Sequence, residues 1–152
     1  MVEQVAYEIE GWGMGELVVA DGLVAWHELP SSRRDAHGTH NLAERVCRYF
    51  AGASDSFQDV SLELDWCTPF QRAAVEAMRS IPYGETATYG EIAALAGYPN
   101  AQRAVGSVCA ANRFALFVPC HRVVGADGLG SYGSLGPQYK QRLLELEGVV
   151  VL

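Results

Sequence analysis

Long apolar runs are absent from this sequence of 152 residues. No stretch reaches the roughly 18 consecutive apolar residues that a membrane-spanning helix needs. The first ten residues, MVEQVAYEIE, lack the basic segment and the apolar segment of a signal peptide. The composition, 49% hydrophobic and 19% charged, is that of a globular chain. We therefore expect a cytoplasmic protein with one ordinary domain or two small ones.

Cysteines are few, and their spacing forms no CxxC motif. The four are Cys47, Cys67, Cys109 and Cys120. A cytoplasmic chain of this size does not need disulfides, so all four are expected to be reduced. His37 and His40, in the segment HGTH, could join Cys47 in a metal site. A solvated loop is the favoured interpretation of that segment, and we predict no metal.

Basic residues are also scarce, since 11 Lys and Arg face 18 Asp and Glu, for a net charge of −7. This balance argues against a general nucleic-acid binder. The charge is unevenly placed, because residues 1–80 carry all of the excess and residues 81–152 are balanced. The segment 92–126 contains three arginines and no acid. One surface of the second half could therefore accept a phosphate backbone, with modest affinity.

The first half reads as a small sheet followed by a helix. Two apolar runs flank Asp21-Gly22, which is typical of a hairpin turn. The segment NLAERVCRYFAG places four apolar side chains on one helical face and ends at Gly52. SLELDW could be a last short strand. We predict an N-terminal α/β structural domain over residues 1–65 and a second domain over residues 66–152.

The second half reads as helical. Thr68 with Gln71, and Thr88 with Glu91, form two capping boxes that each open a helix. Asn100 is predicted to cap a third helix, AQRAVGSVCAAN. The tight GYPN turn makes the second and third helices a helix-turn-helix. An apolar, strand-like run, FALFVPCHRVVG, precedes a final helix, PQYKQRLLELEG.

The third helix has an unusual outer face. Its core face is predicted to carry Ala101, Val105, Val108, Cys109 and Asn112. The opposite face is predicted to carry Arg103, Gly106, Ser107 and Ala110. This outer face has one long cation and almost no other side chain. It could be a second buried face, or a smooth surface that approaches the minor groove of DNA, where few base-reading donors are needed.

Cys120 and His121 form a thiol-imidazole pair behind a proline. A thiolate is the nucleophile, so Cys120 needs help to ionise. Neighbouring side chains of an extended strand point to opposite sides, so a turn or a bridging water would have to join the two groups. The carboxylates that could orient His121 are Asp127, Glu145 and Glu147. Spacing alone leaves a buried structural cysteine as an open alternative.

The motifs VPCHRVV, RAVG and LELEG together resemble the alkylguanine-DNA alkyltransferases, also called methylated-DNA–protein-cysteine methyltransferases. The similarity covers about residues 67–148 and includes the helix-turn-helix. It implies an α/β fold in which a small N-terminal RNase-H-like sheet-plus-helix domain precedes a mostly helical, winged-helix-like domain. It also implies double-stranded DNA with alkylated guanine as partner, a monomer, and no cofactor.

The resemblance implies single-turnover transfer of an alkyl group from the exocyclic oxygen of guanine, with thymine as a further candidate base. Cys120 would accept the alkyl group, His121 would act as base through a water, and Glu147 would polarise His121. Asn112 would be the hinge between the third helix and the active-site loop. The helix face would bind the minor groove while the nucleotide is flipped out.

Four further roles follow from the same resemblance. Arg103 would fill the gap left by the flipped nucleotide, and Tyr89 would push the flanking phosphate. The backbone of Val123 and the side chain of Tyr132 would contact the base. Here GSYGSLG replaces the usual glycine pattern of the pocket loop, and Arg113 replaces the usual proline after Asn112.

Three other classes stay open at this point. A non-enzymatic alkyltransferase-like protein would bind the lesion without transfer, but such proteins replace the acceptor cysteine. A winged-helix transcription regulator would carry base-reading side chains on the third helix. A cysteine hydrolase or redox thiol would turn over, whereas an alkyltransferase would not.

Overall fold

The computed structural model describes residues 1–32 and 41–151. The predicted loop with His37 and His40 lies outside this part. The N-terminal half is a three-stranded antiparallel sheet of order β1-β2-β3, built from β1 (Val2–Ile9), β2 (Gly13–Ala20) and β3 (Leu23–Ser32). A helix follows, α1 (Asn41–Phe50). The α/β character predicted for this half is confirmed.

The Asp21-Gly22 turn sets the register of β2 and β3. Both residues have positive φ, 51° and 81°, as a two-residue hairpin turn that matches the strand twist requires. Ala20 consequently pairs with Leu23, and Val18 pairs with Trp26. The turn predicted from the sequence is confirmed.

The remaining helices are α2 (Pro69–Arg79), α3 (Tyr89–Leu95), α4 (Gln102–Ala110) and α5 (Pro137–Leu146). Both predicted capping boxes are present, with Thr68 and Thr88 each accepting from the amide three residues on. Helices α3 and α4 form the helix-turn-helix. Among residues 1–32 and 41–151, no helix is long and apolar enough to cross a membrane.

The predicted cap at Asn100 is wrong. Asn100 has a φ of 70° and closes the turn between α3 and α4 in the left-handed conformation, which asparagine tolerates better than most residues. Helix α4 starts later, at Gln102, and Ala101 precedes it without a side-chain cap. The helix also ends at Ala110, so Asn112 lies beyond it rather than on its core face.

The strands predicted for SLELDW (residues 61–66) and FALFVPCHRVVG (residues 114–125) are also largely wrong. SLELDW contributes one isolated bridge, between Leu62 and Val24. In FALFVPCHRVVG, residues 120–122 form a 3₁₀ turn and only β5 (Val123–Val124) is a strand, paired in parallel with β4 (Ala87–Thr88). Pro119 has no amide hydrogen for a ladder, and the chain turns immediately after it.

One hydrophobic core joins the two halves. It contains Leu17 from the sheet, Tyr49 from α1, Met78 from α2 and Phe117 from the segment before the 3₁₀ turn. Phe57 and Phe117 meet edge to face, with ring centroids 5.2 Å apart. The shared core holds the N-terminal sheet against the segment that carries Cys120. The boundary between residues 65 and 66 stays a prediction.

His27 is a buried polar link between the halves. Its Nδ1 lies 2.5 Å from the carbonyl oxygen of Ala115, and its Nε2 lies 2.6 Å from the hydroxyl of Tyr7. The carbonyl can only accept, so Nδ1 carries the proton and Nε2 accepts from Tyr7. Burial lowers the pKa of His27 from 6.5 to about 4, and the bond to Ala115 only partly opposes this. The imidazole is therefore neutral at pH 7.

This link predicts a specific pH dependence of stability. The unfolded state binds a proton at His27 below about pH 6.5, whereas the folded state does so only near pH 4, so the stabilisation is complete above pH 6.5 and is lost as the pH falls to 4. The loss is about 3 kcal/mol. Urea unfolding between pH 6.5 and pH 4 measures this loss. The free energy of unfolding should fall more steeply with pH for the native chain than for His27→Gln. Parallel curves for the two proteins would contradict the prediction.

Candidate active site

Cys120 lies at the start of the 3₁₀ turn and is 6% exposed. The side-chain amide of Asn112 donates to Cys120 Sγ at 3.2 Å and to the carbonyl oxygen of Val118 at 3.0 Å. The side-chain oxygen of Asn112, Oδ1, accepts from the backbone amide of Phe114 at 2.9 Å. Asn112 therefore ties the end of α4 to the turn that holds the thiol, as a hinge residue would.

Glu147 lies behind this turn and is the centre of a buried hydrogen-bond network. His121 Nε2 is 2.7 Å from Glu147 Oε2, and Arg122 donates to both carboxylate oxygens at 2.8 and 3.0 Å. The hydroxyl of Tyr49 and the amide of Gly84 donate to the same carboxylate. The His121, Arg122 and Glu147 side chains have no exposed surface. Of the three carboxylates left open by the sequence, Glu147 orients His121.

The network fixes the protonation of both His121 and Glu147. Burial raises the pKa of Glu147, but the hydrogen bonds and charges of His121 and Arg122 outweigh it and hold that pKa at about 2. Burial lowers the pKa of His121 more than Glu147 raises it. His121 is thus neutral at pH 7, with its proton on Nε2 toward Glu147. Its Nδ1 is buried without a partner in the described structure, and can accept a proton.

A cavity of about 850 Å³ opens beside Cys120. One wall is α4, with Arg103, Gly106, Ser107 and Ala110. A second wall is residues 130–135, and a third is β3 of the N-terminal sheet. The cavity volume falls in the range of small-molecule sites. The thiol therefore sits at the edge of a space large enough for a nucleobase.

Two tyrosines line this cavity. Tyr89, the first residue of α3, is half-buried, and the Nζ atom of Lys140 lies 5.6 Å from its ring centroid. Tyr132 has a buried hydroxyl without a partner in the described structure. Burial raises the pKa of Tyr132 well above its ordinary value, so the hydroxyl stays protonated and keeps a hydrogen to donate.

Val123 lies outside the cavity lining. Its side chain is buried, and its carbonyl oxygen accepts from Lys140 Nζ at 2.5 Å. Lys140 also donates to the carbonyl oxygen of Ser131 at 3.3 Å, which links α5 to the pocket loop. Val123 thus shapes the loop beside the cavity. Among the described residues, no cluster of His, Cys, Asp and Glu is arranged to hold a metal ion.

The residues that the sequence predicts for the site form two groups in the structure. Cys120 and Asn112 line the cavity together with Tyr89, Tyr132 and the α4 face. His121 and Glu147 lie behind Cys120 instead. Sequence reasoning did not find Arg122 or Tyr49 as partners of Glu147. It also did not find the wall formed by β3. The signal that could have pointed to a buried counter-ion was Arg122 itself, a charged residue inside the apolar run FALFVPCHRVVG.

The fold and the site define a class: a helix-turn-helix protein with a buried cysteine at the edge of a cavity beside its second helix, and a buried His-Glu pair next to that cysteine. The family model described as 6-O-methylguanine DNA methyltransferase, DNA binding domain, matches residues 69–149. This match covers more than half of the chain. The chain belongs to the family of methylated-DNA–protein-cysteine methyltransferases.

Individual relatives agree with this assignment. A methyltransferase of that name from Methanosarcina acetivorans is 52% identical over 101 residues, which are 66% of this chain and 63% of the relative. A probable one from Acanthamoeba polyphaga mimivirus is 47% identical over 107 residues, 70% of each chain. The matched segment thus spans less than two thirds of the archaeal relative.

Solved structures extend the likeness to the N-terminal half. Mycobacterium tuberculosis OGT in complex with DNA superposes with a TM-score of 0.80 at 35% identity, covering 95% of this chain and 92% of that one. The O6-methylguanine-DNA methyltransferase of Pyrococcus kodakaraensis gives a TM-score of 0.74 at 26% identity, covering 98% and 100%. The predicted fold class is confirmed.

Proposed function

We propose that this protein repairs DNA by moving an alkyl group from the exocyclic oxygen of guanine onto Cys120, once per molecule. The observation that carries the proposal is that Cys120 lines a nucleobase-sized cavity while the next residue, His121, is buried, neutral and bonded to Glu147. Family membership supports the same reaction. The complex of the mycobacterial relative with DNA supports DNA as the partner, and we propose that this DNA is duplex.

The first step is ionisation of Cys120. The bare Nδ1 of His121 takes the thiol proton through a bridging water, and Glu147 stabilises the imidazolium that forms. Asn112 holds the sulfur through its 3.2 Å hydrogen bond. Arg122 keeps Glu147 ionised, so that the carboxylate does not take the proton from His121. Each group thus has one part in moving a single proton.

The second step is displacement at the alkyl carbon. The thiolate forms the new S–C bond as the C–O bond breaks, and the electron pair stays with the guanine oxygen. The guanine is released as an anion that needs a proton or a hydrogen bond. The protonated hydroxyl of Tyr132, a residue of the cavity lining, can supply such a donor. The thioether on Cys120 has no route back, so each molecule reacts once.

The target atom is out of reach inside a duplex, so the nucleotide must be rotated out of the stack. The α4 face suits this because Arg103, Ser107 and Ala110 are exposed and short side chains dominate. A Cβ added at Gly106 would meet nothing within 4 Å in the protein alone. The bare surface at Gly106 is therefore not needed for folding, and we assign it to close contact with the minor groove.

We propose that Arg103, the long side chain of the α4 face, enters the stack and replaces the flipped nucleotide. We also propose that Tyr89, which lines the same cavity, presses on the flanking phosphate. Val123 acts through the loop it anchors. We propose a monomer that acts in the cytoplasm on alkylated guanine. A lesion-binding protein without transfer is not favoured, because Cys120 and its whole network are present.

The decisive experiment is intact-protein mass spectrometry after mixing with an excess of duplex DNA that carries O6-methylguanine. We expect one added methyl group per molecule, on Cys120, with no further increase on longer incubation. Cys67→Ala should react like the native chain, since Cys67 lies outside the cavity lining. An unchanged mass, or a methyl group on Cys109, would overturn the proposed function.

A further inference from the structure

Arg113 is the one arginine of the acid-free segment 92–126 to which the proposed mechanism gives no part. Arg103 belongs to the α4 face, and Arg122 is a buried counter-ion. Arg113 is exposed and directly follows Asn112, which lines the cavity. Within residues 1–32 and 41–151, no carboxylate lies at ion-pair distance from its guanidinium. The charge of Arg113 is therefore available to a partner outside the protein.

An indole ring holds the Arg113 side chain in place. The guanidinium carbon lies over the Trp66 ring, 4.0 Å from its centroid. Trp66 is itself fixed, because its Nε1 donates to the carbonyl oxygen of Glu63 at 2.9 Å and its ring stacks on the buried ring of Phe114. A guanidinium over an aromatic face is attracted to the ring while it keeps its N–H donors. Arg113 thus has few conformations left to lose when it binds a partner.

The backbone of Arg113 is tied to β3, the edge strand of the N-terminal sheet. The amide of His27 donates to the carbonyl oxygen of Arg113 at 2.8 Å, and His27 forms a parallel bridge with Phe114. The residues that precede a parallel bridge lie beside each other, so Trp26 neighbours Arg113. Trp26 is 43% exposed and lines the cavity. Arg113 is therefore held at the rim of the cavity by both halves of the chain.

We propose that Arg113 binds a backbone phosphate of the DNA strand that passes the C-terminal end of α4. This inference rests on the proposed function, since it adds a contact to the same DNA. Helix α4 ends at Ala110, a residue of the cavity lining, and Arg113 follows three positions later. A phosphate strand borders the minor groove on each side, so a cation beyond the end of the helix meets backbone instead of base edges. Arginine suits this contact because its fork of donors matches two phosphate oxygens.

The charge around the Trp66 ring is mixed. A second exposed arginine, Arg72, donates to the carbonyl oxygen of Leu64 at 3.1 Å. Two acids, Glu63 and Asp65, lie on the same segment, and the Glu63 carboxylate accepts from the Asp65 amide at 3.0 Å. These charges produce no broad positive field, so the proposed contact is with a single phosphate. Its loss should change the salt dependence of DNA binding by the amount that one phosphate contributes.

The test is the affinity for a fluorescein-labelled, unmodified DNA duplex, measured by fluorescence anisotropy between about 50 and 200 mM NaCl. Unmodified DNA has no alkyl group to transfer, so the measurement reports binding alone. In Arg113→Gln, the slope of log K against log salt should become shallower by about 0.9. The dissociation constant should rise about tenfold at the lower salt concentration and about threefold at the higher one. Arg113→Lys keeps the charge and should keep the native slope.

Two further variants sharpen the result. Arg48→Gln removes an exposed arginine on α1, away from the cavity, and should leave the slope unchanged. Trp66→Leu keeps the charge of Arg113 but frees its side chain, so the slope should stay near native while affinity falls about threefold. Native-like circular dichroism establishes that each variant is folded. A folded Arg113→Gln protein with native slope and affinity would overturn the inference, as would an equal change of slope in Arg48→Gln.

The binding measurement separates this inference from the proposed function, because methyl transfer to Cys120 is measured independently by mass spectrometry. A shallower slope for Arg113→Gln, in a protein that takes no methyl group from DNA, would support the phosphate contact and reject the repair function. An unchanged slope in a protein that repairs methylguanine would reject only the role of Arg113.

Discussion

Replacing Glu147 with glutamine is expected to lower the free energy of unfolding by about 3 to 5 kcal/mol, because it leaves the Arg122 charge buried without its counter-ion. The amide also cannot accept all of the hydrogen bonds that Tyr49, His121, Arg122 and Gly84 now donate. Chemical denaturation at pH 7 measures the loss. Methyl transfer should slow as well, since His121 loses the partner that stabilises its charged form.

Glu145→Gln is the matched control. Glu145 is exposed, two positions earlier, and its carboxylate accepts a local hydrogen bond from Gln141, one turn before it on α5. The change removes the same charge and should cost less than about 0.5 kcal/mol. Equal losses in the Glu145 and Glu147 variants would mean that net charge, rather than the buried network, determines the effect.

Replacing Arg103 with alanine is expected to slow repair of duplex DNA about thirtyfold, while reaction with free O6-alkylguanine base stays within about twofold of native. Nucleotide flipping costs a few kcal/mol, and the inserted side chain offsets part of that cost only in a duplex. Single-turnover rates on the two substrates measure the difference.

Arg48→Ala controls for charge, since Arg48 is an exposed arginine on α1, away from the cavity. This variant should leave the ratio of the rate on duplex DNA to the rate on the free base unchanged. If Arg103→Ala slowed both substrates equally, the side chain would serve the pocket itself and not the duplex.

Local signals in the sequence predict the frame that carries the site. A capping box such as Thr88 with Glu91 is complete within four residues, and Asp21-Gly22 needs only its own backbone conformation. Such features depend on nearby atoms, so the sequence shows them directly. Asn100 shows the limit, because the same residue type serves as a helix cap or as a left-handed turn, and packing determines which.

Distant partners are not visible in the same way. Glu147 meets Tyr49 across 98 positions and Gly84 across 63, and no local pattern encodes either contact. The strand predicted for FALFVPCHRVVG failed for a related reason. Its apolar residues are buried as a strand's would be, but Asn112 takes the carbonyl of Val118 and the turn after Pro119 prevents a ladder. The family motif located Cys120, and the structure supplied the groups that surround it.

Lys140 is the only lysine in the sequence, and its side chain is fully buried, with Nζ bonded to backbone carbonyls. The folded surface therefore offers no lysine amine to acylating reagents. It also offers none to enzymes that tag proteins through isopeptide bonds. A molecule that has reacted once must be removed and replaced. In this protein, any lysine-directed mark for removal has to wait until the helix that carries Lys140 leaves the core.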